Sequence, residues 1–132
     1  MPGKARILVP NCPHHIVQRG HNKKAVFLSD EDCQYYLINM RKWKEALGIK
    51  IYAWCLMTNH IHVIAEPGDN ERTVSELMKR VNGRQAAYMN SLEGRSGALW
   101  GTVIAPAKFA YTTSMWKKVD IRPAQYSEMS IY

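Results

Sequence analysis

The sequence predicts a single α+β domain in which two helices cover one face of an antiparallel sheet. Two segments place apolar residues at helical spacing, and β-branched and aromatic runs precede, separate and follow these segments. The resulting order is β-α-β-β-α-β, the order of the split-βαβ or ferredoxin-like plan. In that plan the second face of the sheet stays available for a ligand or a partner.

The first predicted strand and the loop after it are basic. Residues 13–19 (PHHIVQR) have an extended, apolar character, and the RGHNKK that follows is a glycine-containing turn. Residues 1–50 carry nine Lys/Arg and four Asp/Glu, a net +5 out of the +7 of the whole chain. An excess placed in this way indicates a surface that faces a polyanion.

The first helix and a strand pair follow this loop. The helix is predicted over residues 30–47, since Ser29 supplies a capping hydroxyl, acidic residues come next and a glycine ends the apolar periodicity. Residues 49–57 and 60–67 are β-branched and aromatic, and the short polar break of residues 58–59 separates them. We therefore expect two antiparallel strands joined by a tight turn.

The second helix and the last strand complete the order. The helix is predicted over residues 73–91, where Thr73 and Glu76 form a capping-box pattern ahead of an apolar stripe. The glycine-rich EGRSGALWG that follows is turn-like, and the last strand is predicted over residues 102–111.

The composition excludes the membrane and secreted classes. Cys12, Cys33 and Cys55 are odd in number and include no CxxC pair, so neither a disulfide framework nor a cysteine zinc site is indicated. No apolar run approaches the roughly 20 residues that cross a bilayer, and the N-terminus lacks a continuous signal-peptide core. We therefore expect one domain over residues 1–132 in the reducing cytoplasm.

His60 and His62 form an H-x-H pair on the predicted third strand. Strand alternation places both imidazoles on one face of the sheet, whereas the residues between and beside them turn to the helices. Two such side chains can converge on one divalent ion and leave its other positions open, as a Lewis acid acting on phosphate requires. The alternative is a hydrogen-bonded or exposed pair without an ion. His14 and His15 are adjacent, point to opposite faces and are expected to be structural or close to DNA.

Several segments in collinear order carry a resemblance to a known family. They are PHHIVQRGHNKKAVFLSDEDCQYYL, IYAWCLMTNHIHVIAEP, MKRVNGRQAAYMN and GRSGALWG. Over about residues 13–101 the chain resembles the REP-associated tyrosine transposases, members of the HUH single-strand DNA transposase superfamily. The resemblance implies that His60-Ile61-His62 is the HUH motif. It also implies a ferredoxin-like fold, in agreement with the element order.

The resemblance implies a transposase that cleaves and rejoins single-stranded DNA. In similar proteins a tyrosine hydroxyl attacks a phosphodiester, which gives a 5′-phosphotyrosine link and a free 3′-hydroxyl before transfer to another strand. By this resemblance, His60 and His62 would hold Mg²⁺ or Mn²⁺. The partner would be single-stranded or hairpin DNA. The candidate DNA contacts lie in the basic loop: Arg19, His21, Asn22, Lys23 and Lys24.

The end of the chain departs from the family pattern. In the family a tyrosine lies on a helix after the last strand, and an asparagine metal ligand follows four residues later. Aligned from Tyr111, this chain has Lys118 at the tyrosine position and Arg122 at the asparagine position. Lysine is not the expected phosphodiester nucleophile, and arginine cannot bind a metal cation. Tyr111 and Tyr88 are the remaining candidate nucleophiles, and packing at a strand end or in a core stripe is the alternative for each. Residues 112–132 are expected to be a diverged or truncated segment.

Two further function classes stay open beside a nicking transposase. A catalytically inactive nucleic-acid-binding module would keep the sheet face and the basic loop, and the missing tyrosine–asparagine pair favours it. A structural or interaction domain would carry its histidines incidentally. The sequence leaves open the DNA target, the metal preferred and whether the chain forms a homodimer.

Overall fold

The computed structural model describes residues 8–108, and over residues 102–108 it describes the backbone alone. Within this part of the chain, four strands and two long helices follow the predicted order. The elements are β1 (His14–Gly20), a 3₁₀ turn (His21–Lys23), α1 (Asp30–Leu47), β2 (Lys50–Met57), β3 (His60–Glu66), α2 (Thr73–Glu93) and β4 (Trp100–Lys108). Neither of the two long helices is apolar enough over its length to cross a membrane.

The strands form one antiparallel sheet in the order β2-β3-β1-β4. Strand β1 lies between β3 and β4 and pairs antiparallel with both, and β2 pairs antiparallel with β3. The central strands β1 and β3 are therefore not consecutive in the sequence, as the split-βαβ topology requires. The predicted α+β, ferredoxin-like fold is confirmed.

Alternation along β1 separates the two faces of the sheet. His14, Ile16 and Gln18 are buried beneath the helices, whereas His15 and Arg19 lie on the other face. Helices α1 and α2 pack against each other and against the first face, so neither helix covers the second face, where His60 and His62 are half-buried. The core between the helices and the sheet consists of buried aliphatic and aromatic side chains, among them Ile16, Tyr36, Leu37, Ile61, Val63, Leu77 and Val81.

Helix α1 begins at a complete capping box. The Ser29 hydroxyl accepts from the backbone N–H of Asp32 at 3.3 Å, and the Asp32 carboxylate accepts from the backbone N–H of Ser29 at 3.0 Å. Gly48 ends the helix with φ at 69°, in the left-handed region that glycine adopts without a steric cost. Because these boundary signals are local, the sequence predicts the bounds of this helix correctly.

Helix α2 begins in a different way from the prediction. Thr73 is the first helical residue and not the cap, because its hydroxyl donates to the carbonyl of Asn70 at 2.8 Å. Glu76 instead pairs with Arg80 one turn later, with 2.6 Å between the carboxylate oxygen and the guanidinium nitrogen. The predicted capping box of Thr73 and Glu76 is therefore wrong, although a helix does start at residue 73.

Strand β4 begins at Trp100, inside the glycine-rich segment that was predicted as a turn. Trp100 pairs with Gly20 of β1, and its indole N–H donates to the carbonyl of Asn82 at 2.9 Å. Its ring also packs against Tyr36, with 6.1 Å between the ring centroids. These tertiary contacts extend the strand by two residues beyond what the local glycine pattern indicates.

A buried polar network ties β1 and β4 to both helices. The Tyr36 hydroxyl donates to Asn82 Oδ1 at 2.7 Å, and Asn82 Nδ2 donates to Gln18 Oε1 at 3.1 Å. Gln18 Nε2 donates in turn to the carbonyl of Gly101 at 2.8 Å. All three side chains are buried. The network therefore satisfies polar groups whose burial would otherwise destabilise the core.

Part of the predicted C-terminal region lies outside the described residues. This applies to the end of the strand predicted over residues 102–111, to Tyr111, to Lys118 and Arg122, and to the diverged segment 112–132. These features stay predictions.

Candidate functional site

The histidine pair lies on the sheet face that the helices leave uncovered. His60 and His62 stand at the start of β3, and their ring centroids are 5.1 Å apart. On the neighbouring strand β1, Arg19 pairs with His60 and Val17 pairs with His62. Paired residues share a face of the sheet, so the register sets a guanidinium beside the first imidazole. The structure thus brings together His60, His62 and the first residue of the predicted DNA-binding loop.

Each imidazole of the pair is held through its Nδ1 atom. His60 Nδ1 donates to Asn59 Oδ1 at 2.9 Å, since the amide oxygen can only accept. His62 Nδ1 lies 3.0 Å from Nε2 of His15, and the two rings meet edge to edge with their centroids 5.2 Å apart. Both rings are therefore oriented by a neighbouring side chain.

Burial and nearby positive groups favour the neutral form of these histidines. Burial lowers the pKa of His15, and burial followed by the charge of Arg19 lowers the pKa of His60. The pKa of His62 is lowered first by burial and then by His15, His60 and Arg19. A neutral imidazole keeps the lone pair with which histidine binds a metal.

The donor set fits part of a divalent-metal site. With Nδ1 of each imidazole engaged in a hydrogen bond, Nε2 is the nitrogen that faces away from it, which is a common arrangement in metal-binding histidines. Within residues 8–108, no group of three or more His, Cys, Asp or Glu side chains is arranged to hold a metal ion. The pair can therefore supply two nitrogen ligands and leaves the remaining positions to other groups.

The basic loop is anchored beside the pair by its backbone. The N–H of Gly20 donates to the carbonyl of Asn59, the residue before His60, at 2.8 Å. The N–H of Lys24 donates to the carbonyl of His21 at 2.9 Å and closes the turn. Asn22 and Lys23, which lie between His21 and Lys24, adopt left-handed φ values of 52° and 60°. The loop is thus a tight turn that is hydrogen-bonded to the residue just before β3.

A cleft of about 250 Å³ opens where the loop meets His60. Two cations and the first histidine line it, so the cleft joins groups that attract phosphate to an imidazole that can hold a metal. The lining residues are Arg19, Gly20, Lys23, Asn59 and His60.

The other predicted loop residues lie around this cleft without lining it. His21 and Asn22 are exposed, and a ring nitrogen of His21 lies 3.3 Å from the Asn22 amide nitrogen. Lys24 Nζ donates to the carbonyl of Ala98 at 3.1 Å, so this ammonium group helps to hold the loop against the segment before β4. The five predicted residues therefore divide into two that line the cleft, two at the exposed tip and one that supports the loop.

We expect Gly20→Ala to destabilise the fold by about 1–3 kcal/mol. A Cβ at residue 20 would lie 2.1 Å from the backbone oxygen of Lys24, so the turn would have to move. Urea unfolding measures the loss. Gly83→Ala is the control, because a Cβ there has nothing within 4 Å and alanine favours the helix. Equal stabilities of the two variants would contradict the tight-turn account.

The structure does not bring Tyr88 to the histidine pair. Tyr88 lies on α2, where its ring stacks on Tyr35 of α1 with the centroids 4.3 Å apart. The two helices and the histidine pair are on opposite faces of the sheet. The pKa of Tyr88 is raised by burial and then by the hydrogen bond and charge of Asp32, which disfavours the phenolate form that would attack a phosphodiester. The other candidate, Tyr111, lies outside the described residues.

Two side chains that contact the pair were not expected there. Asn59 is predicted only as part of a polar turn, and His15 is predicted only to be structural or close to DNA. His14, its neighbour, does turn to the other face, where its Nε2 accepts from the backbone N–H of Val9 at 3.0 Å. Strand alternation in the sequence sets residues 15, 17 and 19 on one face of β1, and the register of β1 and β3, which only the fold supplies, brings that face beside the pair.

Fold and site together define an α+β protein with a cationic, histidine-bearing cleft on the open face of its sheet. The family model of IS200-like transposases matches residues 8–120 of the chain. The chain therefore belongs to the IS200-like transposase family, and the resemblance to transposases seen in the sequence is confirmed. No curated protein matches the chain.

Solved structures share the fold at low sequence identity. A REP-associated tyrosine transposase bound to a REP hairpin matches with a TM-score of 0.70 and 16% identity, over 100% of this chain and 76% of that one. A candidate transposase from Deinococcus radiodurans R1 matches with a TM-score of 0.57 and 16% identity, over 96% of this chain and 95% of that one. At such identities the likeness establishes the fold alone.

Proposed function

We propose that the chain binds single-stranded or hairpin DNA on the open face of its sheet. The observation that carries the proposal is the cleft where Arg19 and Lys23 flank His60, in a member of a transposase family. Guanidinium and ammonium groups bind phosphate oxygens through charge-assisted hydrogen bonds. The REP hairpin bound to a protein of the same fold supports a hairpin as the partner. His21 and Asn22, at the exposed loop tip, are then placed to meet unpaired bases.

The same proposal assigns His60 and His62 as ligands of Mg²⁺ or Mn²⁺. Their Nε2 atoms would hold the ion, and DNA phosphate oxygens would occupy positions that the pair leaves open. A bound divalent ion polarises a phosphodiester and offsets the negative charge that develops as the bond breaks. The part played by this chain is to present two neutral, oriented imidazoles, the first of them fixed by Asn59, and to bring the phosphate to them with Arg19.

Cleavage and rejoining of DNA would require a tyrosine nucleophile and a 5′-phosphotyrosine link. The two candidates are Tyr88, which lies in the helix layer, and Tyr111, which follows β4 in the sequence. We therefore propose Tyr111 as the better candidate. In this proposal residues 1–132 form one cytoplasmic HUH transposase-like domain, and 112–132 are its diverged segment.

The second candidate function is a catalytically inactive nucleic-acid-binding module. The position of Tyr88 on the face opposite the histidines favours it, and so do Lys118 and Arg122 at the aligned positions of the tyrosine and asparagine. Such a module would keep the cleft and the metal pair and would lack strand cleavage.

We expect Tyr88→Phe to leave the yield of covalent protein–DNA adduct unchanged, because the hydroxyl at residue 88 lies in the helix layer. The measurement incubates protein, Mn²⁺ and a labelled single-stranded hairpin and separates adducts on a denaturing gel. Tyr111→Phe is the comparison variant and is expected to abolish the adduct. Loss of adduct in Tyr88→Phe alone would contradict the assignment. Salt-sensitive binding without any adduct in the wild type would establish the inactive module instead.

A further inference from the structure

A third histidine contacts the pair from the neighbouring strand. His15 stands on β1 two residues before Val17, the residue that pairs with His62, so strand alternation puts His15 and His62 on the same face of the sheet. Its Nε2 lies 3.0 Å from Nδ1 of His62, and the planes of the two rings are inclined by only 22°, so the rings meet edge to edge. His15 is half-buried on the open face, so this contact belongs to the candidate site and not to the core.

A contact between two imidazole nitrogens at this distance needs one proton between them. A neutral imidazole carries a single N–H, so one ring donates and the other accepts. If His15 donated, the proton of His62 would lie on Nε2, the nitrogen needed for a metal. If His62 donates from Nδ1, its Nε2 keeps a free lone pair.

The other member of the pair shows which arrangement matches the site. His60 donates from Nδ1 to the amide oxygen of Asn59, and this fixes its Nε2 as the unprotonated nitrogen. Both rings of the pair present an unprotonated Nε2 only if His62 also carries its proton on Nδ1. His15 is the one side chain within hydrogen-bonding distance of that atom among the contacts of the described residues.

We propose that His15 is a positioning residue, whose Nε2 accepts the Nδ1 proton of His62 and so keeps Nε2 of His62 unprotonated and turned to the metal. The inference rests on the proposed function, because it assigns His62 as a ligand. It goes beyond that function by giving His15, on another strand, control of which nitrogen His62 presents. Such an outer hydrogen bond commonly changes metal affinity by about 10–100-fold.

The tautomer of His62 tests the inference without a metal. Two-bond nitrogen–proton correlation spectra of the wild type, recorded at about pH 8 so that histidines are neutral, should show the His62 proton on Nδ1. His15→Phe keeps an aromatic ring and removes the acceptor, and should move this proton to Nε2. His15→Gln offers an amide oxygen in place of the ring nitrogen and should restore the Nδ1 form. A His62 proton on Nε2 in the wild type would overturn the inference.

Metal affinity provides the second test. Calorimetric titration with Mn²⁺ should show affinity about 10–100-fold weaker in His15→Phe than in the wild type, and recovery in His15→Gln. In a His62→Ala background the His15→Phe change should not weaken Mn²⁺ affinity any further. In a His60→Ala background it should still weaken Mn²⁺ affinity. An equal loss in both backgrounds would mean that His15 acts by itself and would overturn the inference.

The two measurements also separate this inference from the proposed function. A wild type with the Nδ1 tautomer and no Mn²⁺ binding would contradict the metal assignment of His60 and His62, while His15 would still orient His62. A wild type that binds Mn²⁺ equally well with phenylalanine at residue 15 would keep the metal site and overturn the role of His15. Unchanged far-UV circular dichroism of His15→Phe is the control for folding.

Discussion

Asn82→Leu is expected to lower the free energy of unfolding by about 2–5 kcal/mol. Asn82 accepts from the Tyr36 hydroxyl at 2.7 Å and donates to Gln18 Oε1 at 3.1 Å, and all three side chains are buried. Leucine has a similar size but no polar atoms. Two buried groups would therefore lose their partner, and each such loss costs about 1–3 kcal/mol.

Urea unfolding followed by circular dichroism measures this loss. The matched control is Asn90→Leu, the same chemical change on the same helix at a half-buried residue, where the side-chain amide donates to the carbonyl of Gly97 at 3.0 Å in a solvent-exposed hydrogen bond. We expect the control to cost less than about 1 kcal/mol. Tyr36→Phe, which deletes one member of the network, should fall between the two. If Asn82→Leu were no more destabilising than Asn90→Leu, the network would not hold the sheet to the helices.

A double substitution, Arg19→Gln with Lys23→Gln, is expected to weaken hairpin DNA binding about 10-fold or more near physiological salt. Both side chains line the cleft beside His60, where a phosphate would meet two positive charges. Loss of two phosphate contacts should also reduce the slope of log affinity against log salt by about 1.4–1.8, the slope expected for two released counterions.

The control for this prediction removes two positive charges, one lysine and one arginine, from the helix side of the molecule. Lys79 and Arg84 are exposed residues of α2, and changing both to glutamine lowers the net charge by the same amount. Binding to a labelled hairpin over a salt series compares the two double variants. Because long-range attraction depends on total charge, the control should show only a small, salt-sensitive loss. Equal losses would place the DNA contact outside the cleft.

The sequence is sufficient to predict those features that depend on local chemistry. Ser29 and Gly48 mark the ends of α1, and the two-residue spacing of His60 and His62 places both imidazoles on one face. Features that depend on tertiary contacts cannot be predicted from the sequence in this way. The start of β4 at Trp100 depends on a hydrogen bond from its indole N–H to the carbonyl of Asn82 in α2.

The candidate site shows the same division. The sequence identifies the basic loop and the histidine pair, since both are contiguous motifs. The contact of His15 with His62 depends on the register of two strands whose residues are 47 positions apart in the sequence. The failed capping box of Thr73 has a different, local cause, because its hydroxyl donates to the carbonyl of Asn70, three residues earlier.

Calorimetric titration of Mn²⁺ into the wild type and into the His60→Ala, His62→Ala double variant tests the histidine pair most directly. The account predicts saturable heats for the wild type and none for the double variant, because its two imidazole ligands are gone. His21→Ala, which removes an exposed imidazole of the loop, is the control and should bind Mn²⁺ as the wild type does when no DNA is present. Equal heats from the wild type and the double variant would contradict the assignment of His60 and His62 as the metal site.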